Sequence, residues 1–147
     1  MAEGQMLEIE NIEKVLAKLG PKLLVGPIRD MFTAIGLRLE GDARGNMRSG
    51  WGVDTGHLRR NVIHVVDPDD FPLWVEVGSN VEYAPFVEYG TGVYAEGDPS
   101  LKSSRIKRGG MLPRRYLRGS FEANQGYIEE QVKKCQDAIG AIWSENG

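Results

Sequence analysis

At 147 residues, with 41% hydrophobic and 27% charged side chains, the chain has the size and balance of one soluble globular domain spanning 1–147 and leaves little room for a second. A net charge of −3 is too mild for a protein dedicated to nucleic acid or to a membrane surface. One cysteine and two histidines exclude an internal disulfide and are a poor stock of zinc ligands, so neither metal nor cofactor is expected.

No apolar run approaches the ~20 residues of a membrane span, and Met1–Glu10 carries acids where a signal peptide needs a basic start. The reading is a protein that stays in the cytoplasm where it is made. Its charge is segregated: Lys102, Arg105, Lys107, Arg108, Arg114, Arg115 and Arg118 lie between Pro99 and Phe121 with no acid among them. A basic segment is therefore carried by an acidic body.

Taken in chain order, Ile9, Ile12, Leu16 and Leu19 fall on one face of a helix that Gly20-Pro21 ends. A second helical pattern runs through Leu24, Ile28, Met31, Ile35 and Leu39, and Pro27 sets its start, because proline lacks an N–H and crowds the preceding turn. Four glycines between Gly41 and Gly52 predict a connecting loop.

Val62–Val66 is β-branched except at His64, and Leu73, Val75 and Val77 alternate with Trp74 and Glu76, which predicts two strands. Asp67–Pro72 between them makes an antiparallel hairpin the economical reading. Residues 90–112 hold most of the basic cluster without a sustained period and predict a projecting loop or β-arm. From Pro113 onward Leu117, Phe121, Ile128, Val132, Cys135, Ile139 and Ile142 predict one long C-terminal helix. The expected fold is α+β, with N-terminal helices, a small antiparallel sheet carrying the arm, and the C-terminal helix packed on the sheet.

Candidate chemistry is sparse. Asp54-Thr55-Gly56 is the aspartic-protease tripeptide, but those enzymes seat it among small apolar residues, and here it runs into His57-Leu58-Arg59-Arg60. An N-cap role for Asp54, opening a short helical turn at Thr55 and Gly56, fits better. His57 and His64 lack companion ligands, Glu82 and Glu88 have no reason to share a site, and Cys135 reads as a small core hydrophobe. No residue is assigned a catalytic role.

The most informative segment leaves a strand at Gly78, presents Tyr83, Phe86 and Tyr89, and ends in a turn at Gly90. Aromatic loop residues give large contact area for little entropy loss, which suits a neighbouring subunit, although at least one of the three is expected to cap the sheet.

Three blocks in order, Val53–Val62 with Asp54-Thr55-Gly56-His57-Leu58-Arg59, Val77–Thr91 with Tyr83-Ala84 and Glu88-Tyr89-Gly90-Thr91, and Pro113–Arg118 with Tyr116-Leu117, resemble the signatures of the lambdoid-phage minor tail component family. The sequence departs from that pattern in a longer, more basic insert between Thr91 and Pro113, and in Gly119-Ser120 where proline-alanine is common.

The resemblance implies a structural virion protein at the head–tail junction, made in the host cytoplasm and forming a homo-oligomeric ring of six copies. It also implies phage neck, portal-side and tail proteins as partners. Subunit or partner contacts are then expected at Tyr83, Phe86, Tyr89, Lys102, Arg105, Lys107, Arg108, Arg114 and Arg115, and structural turns or caps at Asp54, Thr55, Gly56, Gly78 and Gly90. The rival reading makes 102–118 a DNA-binding element, since phosphate contacts need little beyond Lys and Arg; transient contact with genomic DNA fits either reading.

Overall fold

The computed structural model describes residues 21–47, 55–69, 72–96 and 109–146. The helix expected at 6–19, Asp54, and the basic residues Lys102, Arg105, Lys107 and Arg108 lie outside them. The fold is α+β and mostly helical. Helix α1 (Pro21–Asn46) and the short α2 (Thr55–Arg60) precede strands β1 (Val62–Val66) and β2 (Val75–Ser79). Then come α3 (Ala84–Tyr89), a single 3₁₀ turn at Gly92–Tyr94, α4 (Tyr116–Ala123) and α5 (Gln125–Asn146).

Both ends of α1 differ from expectation, each for a local reason. Helix α1 begins at Pro21 and keeps Pro27 inside it. The residue before a proline normally avoids the helix because its Cβ meets the proline ring, and Gly26 has no Cβ. At its other end α1 runs through Gly41 and Gly45 to Asn46, where a loop was expected. The i,i+4 ion pairs Arg38–Asp42 and Arg44–Glu40 support that stretch, and Ala43 and Met47 are buried. Tertiary burial outweighs the ~1 kcal/mol that each glycine costs a helix.

Two compact units divide the chain: Met1–Ile35 with Val66–Val75 and Tyr127–Gly147, and Gly36–Val65 with Glu76–Gly126. The core of the second consists of Ala43, Met47, Leu58, Val62, Ala84 and Tyr116, against which Val77, Val81, Tyr83, Val87 and Leu117 pack. Each fully buried aliphatic there contributes about 1.5–3 kcal/mol over exposure. In this unit the His64 side chain packs against Gly36, whose missing Cβ would stand 2.6 Å from His64 Cδ2. Glu40 Oε2 accepts the His64 amide at 2.9 Å and lies 2.5 Å from its Nδ1, while Arg44 bridges Glu40 and the Val62 carbonyl. Burial opposes ionisation of Glu40, but the His64 hydrogen bonds and the Arg44 charge outweigh it and hold the carboxyl below its ordinary value.

Helix α4 is stitched to the second half of α1 by polar groups. Ser120 Oγ donates to the Leu39 carbonyl at 2.8 Å, and Asn46 Nδ2 donates to the Tyr116 carbonyl at 3.2 Å. Asn124 accepts from Arg38 and donates to Asp42 and to the Ser120 carbonyl. These buried side chains explain Gly119-Ser120: a small hydroxyl residue lets α4 approach α1 and meets a carbonyl there. They also explain why the expected single C-terminal helix breaks at Asn124, which adopts φ −110°, ψ 16° while its amide serves α1.

The first unit holds the hairpin loop, fixed from inside. Asp67 is buried, its two carboxylate oxygens accept the amides of Asp69 and Leu73, and its own amide donates to the Trp74 carbonyl. Arg29 grips the carbonyls of Asp67 and Asp69 at 3.1 and 2.7 Å. Leu24, Ile35 and Cys135 are buried in this unit, and burial pushes the Cys135 thiol pKa up, as befits a core residue.

Candidate functional site

Two stretches of chain, one on either side of residues 97–108, form one braced module in the second unit. The Thr91 amide donates to the Met111 carbonyl and the Met111 amide to Thr91 Oγ1, both at 2.9 Å, while the Val93 amide reaches the Gly109 carbonyl at 3.3 Å. Residues 91–93 and 109–111 are thereby paired, and the Glu96 amide is tied to the Tyr89 carbonyl at 2.8 Å. Close approach demands glycine at both bends. Gly90 has φ 79° with its virtual Cβ 2.6 Å from the Met111 carbonyl oxygen, and Gly110 has φ 141° with the Thr91 carbonyl where a Cβ would go.

Helix α4 starts against this module without a local cap. Arg115 occupies the N-cap position in the left-handed region, φ 46°, ψ 38°, and its side chain makes no capping bond. Glu88, buried at 3% exposure, supplies the cap instead. Its carboxylate accepts the amides of Leu117 at 2.8 Å and Arg118 at 3.0 Å, the second and third free N–H groups of the helix. A carboxylate here also meets the positive end of the helix dipole. The amides of Arg114 and Arg115 donate to the Val87 and Glu88 carbonyls, completing the seam.

Arginines close the outside. Arg118 Nε donates to Glu88 Oε1 at 2.9 Å, its Nη2 reaches the Glu88 carbonyl and Glu96 Oε2, and its guanidinium lies 4.6 Å over the centre of the Tyr89 ring. Arg115 forms a two-point ion pair with Glu96. The Arg115 bonds and charge, with help from Arg118, hold the Glu96 carboxyl below its ordinary value. Burial works to lower the Arg118 pKa, and the bonds to Glu88 and Glu96 raise it on balance. Beneath lies Tyr116, wholly buried, its hydroxyl without a hydrogen-bond partner among the described residues. Burial, and secondarily the Glu88 charge, push its pKa up to about 12.

The three aromatics of the turn separate in role. Tyr83 packs on the core, Tyr89 lies under Arg118, and Phe86 stands 40% exposed. Val93, Tyr94 and Leu112, also exposed, lie on or beside the paired stretches. Thr55 opens α2, Gly56 is its second residue, and Gly78 sits inside β2 with open space where a Cβ would be. Sequence reasoning missed Glu88 and Glu96 as internal partners of the arginines. The Glu88-Tyr89-Gly90-Thr91 run marked the place, but no local spacing announces a cap delivered across 29 residues.

The module's acids are committed to amides and guanidinium groups, an arrangement suited to holding shape. A groove of about 520 Å³ lined by Ile63, Val65, Glu76, Val77, Gly78, Ser79 and Asn80 has Glu76 as its one ionisable lining residue. Among the described residues no group of His, Cys, Asp or Glu could hold a metal ion, and no helix is long and apolar enough to cross a membrane.

No curated protein and no solved structure matches the chain. A family model, "Bacteriophage HK97-gp10, putative tail-component", matches residues 10–90, more than half of the sequence. The match takes in Asp54-Thr55-Gly56, the aromatic turn and Glu88, and stops at the glycine where the braced module bends. The chain belongs to the HK97-gp10-like family of bacteriophage tail components.

Proposed function

We propose that the protein is a non-enzymatic structural subunit that closes into a homo-oligomeric ring at the phage head–tail junction. Six copies, and neighbouring neck, portal-side and tail proteins, are the assembly suggested by the sequence resemblance. The observation that carries this reading is the braced module. Its interior is locked by Glu88, Arg115 and Arg118, while Phe86, Val93, Tyr94 and Leu112 are left at the surface. A rigid scaffold presenting apolar side chains and committed acids fits an assembly contact better than a reaction centre. Lys102, Arg105, Lys107, Arg108 and Arg114 complete the proposed contact surface, facing acids of the next subunit.

Sedimentation velocity of the purified protein, together with antibody labelling of virions, tests the reading. The expected result is a closed oligomer and label at the neck. A protein that stays monomeric both alone and in extracts holding its phage partners overturns the ring. Replacing Lys102, Arg105, Lys107 and Arg108 by Gln is expected to impair assembly. If assembly survives while a salt-sensitive gel shift with DNA disappears, the basic segment is a nucleic-acid element instead.

A further inference from the structure

Alternate residues of an antiparallel strand turn their N–H and C=O groups to opposite sides, and the two outer edges of this sheet are finished differently. The Asp67 amide, bonded to the Trp74 carbonyl at 3.0 Å, sets the register: Val66 lies opposite Val75 and Val62 opposite Ser79, the full length of both strands. Ile63 and Val65 therefore bond to β2, while Val62 and His64 turn outward. That outer edge is covered from α1, where Glu40 accepts the His64 amide and Arg44 donates to the Val62 carbonyl.

The outer edge of β2 has no such cover among the described residues. There Val77 and Ser79 turn their main-chain groups outward, in a strand that carries neither the proline nor the lysine that commonly keeps an edge from pairing. The space beside it is open. Val77 and Ser79 line the same groove as Ile63, Val65, Glu76 and Gly78, although successive side chains of a strand point to opposite faces. The groove therefore follows the main chain of β2 rather than one face of the sheet.

We propose that the β2 edge receives β2 of a second copy of this chain, antiparallel about a two-fold axis at Val77, so that two hairpins make one four-stranded sheet. Val77 then faces Val77 of the second copy, and the outward N–H and C=O groups of the two strands bond to one another. Charge names the occupant. Glu76 is the strand's one charged residue, and this register sets it opposite Gly78 of the second copy, which has no side chain and open space where a Cβ would be. A slip of two residues would set the two Glu76 carboxylates directly opposite, where like charges repel. Such an isologous contact is satisfied by two copies. It uses nothing of the braced module and goes beyond the ring reading: single subunits become dimers, and rings become pairs of rings.

Two measurements test it. Gly78→Glu and Gly78→Lys both enter open space, and circular dichroism is expected to show the wild-type fold for each. By sedimentation equilibrium the pairing is expected to be roughly 10-fold weaker in Gly78→Glu, which sets glutamate against Glu76 on each side of the axis, and roughly 10-fold tighter in Gly78→Lys, which sets lysine there. The second measurement reads the register. Glu76→Cys mixed with Gly78→Cys is expected to oxidise to a disulfide-linked heterodimer that neither variant forms alone, because directly opposed positions of this kind bring Cα atoms to about 4.5 Å. Association indifferent to the charge at position 78, or disulfides that form in either single variant as readily as in the mixture, overturns the pairing. Rings that form but never pair overturn this proposal alone; subunits that pair but never close a ring uphold it and overturn the ring.

Discussion

Glu88 meets Arg118 through both main chain and side chain: one carboxylate oxygen accepts the Arg118 amide at 3.0 Å and its Nε at 2.9 Å. Helix capping and ion pairing are therefore one interaction. Loss of the carboxylate leaves two helix amides without their acceptor and leaves Glu96 as the carboxylate that pairs with the Arg118 guanidinium.

Glu88→Ala should destabilise the protein by about 1–3 kcal/mol, the usual cost of leaving helix amides without their capping acceptor. Glu88→Gln keeps an acceptor for the amides and should cost less. Urea unfolding of the two variants checks both the size and the order, and equal stability of Glu88→Ala and wild type would refute the brace.

Gly90→Ala and Gly110→Ala combine positive φ with a Cβ placed against a carbonyl oxygen, so each should cost well over ~1 kcal/mol. Gly78→Ala meets nothing within 4 Å in a strand and should be neutral or mildly stabilising. The contrast, measured by thermal unfolding, separates crowded glycines from permissive ones.

Tyr116 predicts an alkaline transition. Its folded pKa of about 12 lies above the ordinary 10.0, so below pH 10 both folded and unfolded forms are neutral and stability is unaffected. As pH rises from 10 towards 12 the unfolded chain ionises first, and stability falls by up to roughly 2–3 kcal/mol. Tyr116→Phe should flatten that loss and leave stability at neutral pH equal or higher, because the hydroxyl has no partner among the described residues. Unfolding midpoints between pH 8 and 12 provide the comparison.

Glu40 and Glu96 predict the acid side. Both are held below the ordinary 4.5 in the folded state, so their contribution is present above that value and is lost as pH falls through the folded pKa. Urea midpoints from pH 6 down to 3 should drop in wild type and drop less in Glu40→Gln, whose partners His64 and Arg44 shield a carboxylate that is mostly buried. Glu96→Gln should show the smaller effect, since its carboxylate is closer to solvent.

Local pattern carried much of this architecture. β1 was legible because Val62–Val66 is β-branched except at His64, a composition that favours a pleated, half-buried strand. What failed to show was long-range substitution of one support for another. Gly41 and Gly45 read as breakers, but Ala43 and Met47 are buried between and beyond them. The helical period from Leu117 onward hides the break at Asn124, whose side chain answers to α1. The aromatic turn was legible as a place, but the division of Tyr83, Phe86 and Tyr89 among core, surface and cation–π contact depends on Arg118, a residue far along the chain.

The pairing of Thr91 with Met111 separates the fate of the fold from the length of what lies between. The chain is tied at Glu96 and again at Gly109, so helix α4 and the core begin from a fixed seam whatever the intervening sequence. Loop-closure entropy grows by only ~0.6 kcal/mol per doubling of length. Insertions there are thermodynamically cheap, and the same scaffold can exchange a short neutral connection for a long charged one. Sequence change between Glu96 and Gly109 is thereby uncoupled from how the domain folds.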